Sequence, residues 1–438
     1  MNLPVRVPPR ARSAASGARR ALRRRRTQLV LFLGILGPGL ITSNADNDAG
    51  GIFTYSAAGA RYGFDMIWLL VVITIALLVV QEFIARLGVV SGKGLADLIR
   101  ERFGVRVTVF AMALLLVANI ATVIAEFAGI ALAGEAFGVT RYITVPLAAV
   151  LVWFVVVRGS YATVEKVFLF FSLVYLTYVV SGLVVQPPWG EIVAHVARPH
   201  VEMSTTYLLF AVAMVGTTIT PWMQFYLQAS VVDKGLRESQ LQYARADVFF
   251  GSIFTDVVAF FIIVATAVTL FSRGHHDVVD ARDAAQALAP VAGQFATALF
   301  VAGLAGASLL AASLLPLSTA YAVTEAFGWE RGVGRTVREA PAFFVIFTGL
   351  IVIGAVAILA PGIPLTAVTL VSQDVNGVIL PAILVFMFVL INDRRVMGRF
   401  VNGRFANIVG GLTIGAVIVL TLLLLASGLP GFPWTGER

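Results

Sequence analysis

The chain of 438 residues has no cysteine, which removes disulfides, thiolate metal sites and cysteine nucleophiles together. Charge is scarce. Asp, Glu, Lys and Arg supply 13% of the residues, where a soluble domain carries about a quarter. Histidine is almost missing. The four that occur, His195, His200, His275 and His276, fall in loops between apolar runs, so no imidazole is expected inside a bilayer as ligand or proton carrier. No polar stretch is long enough to form a soluble domain between those runs. With no cysteine, no membrane histidine, and neither a Ser/Lys pair nor a paired-aspartate motif, the sequence argues against an intramembrane enzyme.

What is present is apolar. Hydrophobic residues make up 59% and the mean hydropathy is +0.90. Spans are expected near 29–60, 66–90, 105–137, 142–158, 162–186, 204–231, 246–272, 290–325, 341–360, 365–391 and 407–428. The fold class is therefore an all-α integral membrane protein, with a single transmembrane unit over 28–438 behind a basic tail, 1–27. The tail holds Arg19, Arg20 and Arg23 to Arg26. No small-residue cleavage site follows a short apolar core, so it reads as a retained, disordered segment rather than a signal peptide. The net charge of +8 does not form a nucleic-acid-binding face. If the N-terminus starts in the cytoplasm and the spans alternate, cytoplasmic segments hold 26 of the 32 basic residues, leaving Arg61, Arg141, Arg198, Arg273, Arg282 and Arg438 opposite. The expectation is a monomer in a plasma membrane, the bacterial inner membrane, with its N-terminus cytoplasmic and its C-terminus external. Its partners are the lipid bilayer and a small substrate, not nucleic acid.

Three polar clusters interrupt the apolar runs. Residues 37–51 carry Asp46, Asn47 and Asp48 at bilayer depth, followed by Gly50 and Gly51. An ionisable residue there is costly and marks a functional site. A short loop between two helices is the plain alternative, but the flanking halves, 29–45 and 50–60, are each short for a span. The two glycines favour an unwound stretch in which side chains and freed carbonyls bind a cation. Span six repeats the interruption at Gly216–Gln224. Pro221 removes a backbone donor there, beside Thr217, Thr220, Trp222 and Gln224; helix packing is the plain alternative. Broken spans five apart suggest two inverted repeats, about 28–186 and 204–391, plus a helix at 407–428. In span ten, Gln373, Asp374 and Asn376 are either part of the site or a kink and inter-helix contact. Glu126, deep in span three, is either a structural carboxylate or part of an ion path. Gln81 and Glu82 are expected to reach the cytoplasmic interface.

These residues resemble the NRAMP family of divalent metal transporters, over the chain from about Gly34 to Asn392. The carriers of the likeness are Gly37-Pro38-Gly39 with Asp48, the run from Gln81 through Arg86 to Lys93, Glu126, Ser372-Gln373 and Leu380-Pro381. The resemblance implies a LeuT-type fold, with spans one and six broken at mid-membrane and Asp48 as the metal-binding aspartate. It also implies metal uptake that is usually proton-coupled. The departures are informative. The family's Pro and Asn after the aspartate become Ala49 and Gly51, the methionine and histidine flanking the span-six proline become Thr220 and Trp222, and a span-three aspartate falls at Val123. Losing a soft thioether removes discrimination against hard ions. The pattern resembles the NRAMP-related magnesium transporter branch. It implies Mg²⁺ uptake, with Mn²⁺ also carried, by alternating access without obligatory proton coupling. The ion would meet Asp48, Thr217, Thr220 and Gln373, with Asp46 or Asp374, within a site bounded by Asn47, Gly51, Trp222 and Gln224; Glu126 and Asn376 lie on its path. No bound cofactor is implied, since the metal is the substrate. Two alternatives stand: a proton-coupled Mn²⁺/Fe²⁺ transporter, with Glu126, Asp46 or Asp374 as proton carrier and Met223 supplying sulfur, and a sodium-coupled organic-solute transporter.

Overall fold

The computed structural model describes residues 47–158, 176–332 and 334–429. The tail, the first half of span one with Asp46, and most of span five lie outside these residues. Among the described residues the longer helices are α1 (Ala49–Tyr62), α2 (Ile67–Ser91), α3 (Leu95–Phe103), α4 (Val105–Ala136), α5 (Arg141–Arg158), α6 (Leu176–Val184), α7 (Trp189–Ala197), α8 (Thr205–Thr218), α9 (Pro221–Asp233), α10 (Leu241–Thr269), α11 (Ala296–Phe327), α12 (Pro341–Leu359), α13 (Leu365–Asn392) and α14 (Arg404–Ser427). Nine segments among them are long and apolar enough to cross a membrane, with α8 and α9 counted as one broken span. The described parts of spans one and five, α1 and α6, bring the tally to the expected eleven.

Burial orders the bundle. In the broken α8–α9 span 89% of the most apolar window is buried, against 22% in α5 and in α14. The interrupted span therefore runs through the centre, while α5 and α14 face outward with Leu147, Val150, Leu412 and Leu422 exposed. An apolar exterior over a polar centre is what lipid requires. Around α1 and α8 pack α4, α10, α11 and α13. Close approach depends on missing side chains: a Cβ on Gly216 of α8 would collide with the backbone of Gln373 and Gly377 on α13, and one on Gly377 with the Val212 carbonyl.

Loops gather on two faces as the charge pattern requires. On one face Arg86 reaches the Phe400 carbonyl at 2.9 Å, Arg102 pairs with Asp393 at 2.6 Å, Arg399 with Glu238 at 2.9 Å, and Arg245 with Glu82 at 2.8 Å. On the other, Arg61 pairs with Asp277 at 3.2 Å and Arg282 reaches the Ala136 carbonyl at 3.1 Å. The first face collects the basic loops assigned to the cytoplasm. Two details differ from expectation. Span eight starts at Ala296, not near 290, because Gly293 at φ +51° turns the chain first. A short amphipathic helix, α3, fills the loop between spans two and three.

Candidate functional site

Asp48 begins α1. Its backbone is extended (φ −78°, ψ −174°), and its carboxylate accepts the Gly51 N–H at 2.8 Å, an N-cap. The side chain is 2% exposed, inside the bundle rather than in a water-filled loop. A helix N-terminus carries partial positive charge and steadies the carboxylate. This corrects the expectation for Gly50 and Gly51. They are not unwound; they form the first turn of α1. Gly50 is needed for a different reason: a Cβ there would collide with the Gln373 amide.

Other elements converge on that turn. Glu126 of α4 is fully buried and its Oε2 accepts the Ala49 N–H at 3.4 Å. The Asp48 and Glu126 carboxyls face each other, and Glu126 lies beside Ser308 of α11. Asn47 donates to Thr255 Oγ1 of α10 at 2.9 Å. From α13, Gln373 Oε1 accepts from Asn376 Nδ2 at 3.1 Å, and Asn376 Nδ2 also donates to Thr122 Oγ1 of α4 at 3.0 Å. Helix α13 is continuous from Leu365 to Asn392, with Pro381 inside it, and its polar residues Gln373 and Asn376 make the inter-helix contact to Thr122.

The break in span six lies at Ile219 and Thr220. Helix α8 ends at Thr218, and Pro221 opens α9 at the position where its missing N–H costs nothing. The last carbonyls of α8 have no partner within the helix and carry partial negative charge. Gln224 Nε2 donates to the Thr220 carbonyl at 3.2 Å. Tyr55 of α1 and Thr218 of α8 share a hydrogen bond of 2.7 Å between hydroxyls, which ties the two half-helices together. Among the described residues, Thr217 Oγ1, Thr220 Oγ1, Gln224 Oε1 and Trp222 Nε1 are buried with no hydrogen-bond partner. Buried polar groups are almost always paired, so these are the polar atoms at the break with hydrogen-bonding capacity to spare.

The sulfur of Met223 does not join them. It contacts Gln81 Nε2 of α2. Gln81 is therefore buried in the bundle, not at the interface as the sequence suggested, while Glu82 does reach the basic loops through Arg86 and Arg245. Asp374 lies on a different face of α13 from Gln373 and is only half-buried. Thus the break brings together Asp48, Gly51, Asn47, Glu126, Gln373, Asn376 and the α8–α9 junction; Asp46 lies outside the described residues. Sequence reasoning missed Thr255, Ser308, Thr122 and the Tyr55–Thr218 pair. The described residues contain no group of three or more His, Cys, Asp or Glu side chains able to hold a metal. Among the described residues, the carboxyls gathered at the break are those of Asp48 and Glu126, and the other polar groups there are neutral.

Residues 39–427 match the family described as natural resistance-associated macrophage protein-like. Two curated relatives, each named divalent metal cation transporter MntH, are similar over nearly their whole length. The protein from Verminephrobacter eiseniae is 26% identical, covering 97% of this chain and 97% of its own. That from Aeromonas hydrophila subsp. hydrophila is 28% identical, over 90% of this chain and 96% of its own. Among solved structures, the Eremococcus coleocola manganese transporter superposes with a TM-score of 0.72 at 21% identity, covering 90% of this chain and 86% of that chain. MhsT in complex with L-phenylalanine gives 0.55 at 14% identity, over 90% and 98% of the two chains. The architecture is thus a LeuT-type membrane fold.

Proposed function

We propose, from the premise that this chain belongs to the natural resistance-associated macrophage protein-like (Nramp) family, that it carries Mg²⁺, and Mn²⁺ beside it, into the cell by alternating access without obligatory proton transfer. As a family member it is a multi-pass divalent metal cation transporter and not an enzyme; the sodium-coupled organic-solute reading falls away. One observation carries the choice of ion. The acceptor atoms left unpartnered at the break (Thr217 Oγ1, Thr220 Oγ1 and Gln224 Oε1) are all oxygen, while the sulfur of Met223 is turned to Gln81. Oxygen donors suit hard ions, and Mg²⁺ keeps several of its waters.

Asp48 supplies the charge, Gln373 and the threonines the neutral oxygens, and the freed α8 carbonyls their partial negative charge. The membrane potential suffices as driving force: two charges crossing about 100 mV gain roughly 4.6 kcal/mol. Val123, where the resemblance implies a proton-carrying aspartate, is fully buried and apolar. A proton-coupled Mn²⁺ reading draws support from the facing Asp48 and Glu126 carboxyls, since two adjacent carboxyls favour holding one proton between them. The test is metal influx into liposomes with a pH indicator inside. The expected outcome is Mg²⁺ entry at an imposed inside-negative potential with no accompanying acidification. Acidification in fixed ratio to metal entry would establish the coupled reading instead.

A further inference from the structure

A cavity of about 210 Å³ lies between α9, α11 and α3 on the face of the basic loops. Its lining on α9 runs from Phe225 to Asp233, five to thirteen residues beyond the break at Thr220. At 1.5 Å per residue that is about 8 to 20 Å along the helix from the break. Trp222 connects the two regions, its ring centroid 5.8 Å from that of Tyr226. Both principal walls also reach the transport site at their other ends, α9 through Thr220 and α11 through Ser308.

The two walls are built alike. On α9, Tyr226 and Asp233 are seven residues apart; on α11, Ser318 and Glu325 are seven apart. Seven residues are nearly two full turns, so each pair shares one face, with a hydroxyl deep and a carboxylate toward the mouth. Ser318 is 4% exposed, and its Oγ has no hydrogen-bond partner among the described residues although it borders the cavity. Leaving a buried hydroxyl unpaired costs about 1–3 kcal/mol, a cost that a ligand in the cavity relieves.

Glu325 Oε1 accepts the Asp97 N–H at 3.4 Å, its carboxyl also pairs with the Asp97 carboxyl, and Oε2 stands 3.5 Å from Arg331. Lys93 is taken by Glu101 at 2.6 Å, and Arg100 by the Ala326 carbonyl at 2.8 Å. The cation whose charge acts on Asp233, Glu325 and Asp97 alike is Arg331. The mouth thus gathers the carboxyls of Asp233, Glu325 and Asp97 about Arg331, with Lys93 also acting on Asp97, on a face otherwise rich in arginine.

We propose that this cavity is a second, weaker divalent-cation site on the exit side, formed by the carboxylates of Asp233 and Glu325 with the Ser318 hydroxyl, where a largely hydrated ion pauses between the break and the cytoplasm. The proposal rests on the cation-transporter reading. Arg331 is then a tethered competitor: it holds the carboxylates when the site is empty and swings back as the ion leaves.

The test counts free Mn²⁺ by room-temperature electron paramagnetic resonance while the purified full-length protein is titrated in nanodiscs. Wild type is expected to show two classes of site. Asp48→Asn removes the tighter class alone. Asp233→Asn and Ser318→Ala each weaken the looser class alone, their intact tighter class serving as the control for folding. Arg331→Gln tightens the looser class by about two- to fivefold, the effect of removing a partly exposed competing charge. A merely structural arginine would not produce that gain. A single class in wild type, or a looser class indifferent to Asp233→Asn and Ser318→Ala, overturns the proposal. Loss of the looser class in Asp233→Asn with no effect of Asp48→Asn would sink the transport-site assignment while leaving the vestibule site standing.

Discussion

Asp48→Asn is expected to lower Mg²⁺ and Mn²⁺ influx into liposomes by about 100-fold or more, with little change in thermal stability. Asparagine caps a helix as well as aspartate does, so its amide oxygen keeps accepting the Gly51 N–H and α1 still begins at Ala49. Only the charge is lost. Taking one partner from a buried charge interaction costs about 2–5 kcal/mol, and about 2.8 kcal/mol is a hundredfold in affinity. Asp48→Ala removes the cap as well, costing about a further 1 kcal/mol of stability. It should melt a few degrees lower while transporting no worse than the asparagine variant. Were Asp48 a structural cap alone, the order would invert: the asparagine variant would transport and the alanine variant would fail through misfolding. Retained Mg²⁺ influx in a well-folded Asp48→Asn protein removes Asp48 from the site.

Thr220→Met should change selectivity, not speed. Thr220 occupies the cap position of α9, yet its hydroxyl makes no capping bond and has no partner. Its replacement therefore removes no helix contact. It places a thioether where only oxygen is available to the ion. Soft sulfur favours transition metals over Mg²⁺. The Mn²⁺-to-Mg²⁺ preference should rise by about tenfold, equal to about 1.4 kcal/mol, and Cd²⁺ should begin to compete. Thr220→Ser keeps the hydroxyl and should leave the preference unchanged. A methionine variant with wild-type preference and no Cd²⁺ competition would show that residue 220 does not face the ion.

Much of this arrangement is legible in the sequence, and the failures have physical causes. The spans follow from runs of apolar residues at bilayer length, and the central place of span six follows from Pro221 within such a run. Asp48 announces itself because a carboxylate in an apolar segment needs a reason. The glycines misled. Gly50 and Gly51 suggest a flexible backbone, but Gly50 is required for what it lacks, a Cβ in the space of Gln373. That need belongs to α13, more than three hundred residues away. Gln81 misled by its linear position. Span two is expected to run to about 90 and the helix does run to Ser91, so Gln81 lies about 15 Å short of its end, inside the bundle and not at the interface. Thr255, Ser308 and Thr122 left no signal of their own, because hydroxyls in apolar helices commonly satisfy themselves on the preceding turn, and Thr122 does so at the Ala118 carbonyl as well.

The most direct test of an all-oxygen, partly hydrated site at the break is X-ray absorption at the manganese edge on the Mn²⁺-loaded full-length protein, with the looser vestibule class left unfilled. The account predicts a first shell of light scatterers only, indistinguishable in wild type and Met223→Leu, with exchangeable water protons detected around the ion by electron–nuclear double resonance. A sulfur scatterer in the wild-type shell that disappears in Met223→Leu would contradict it.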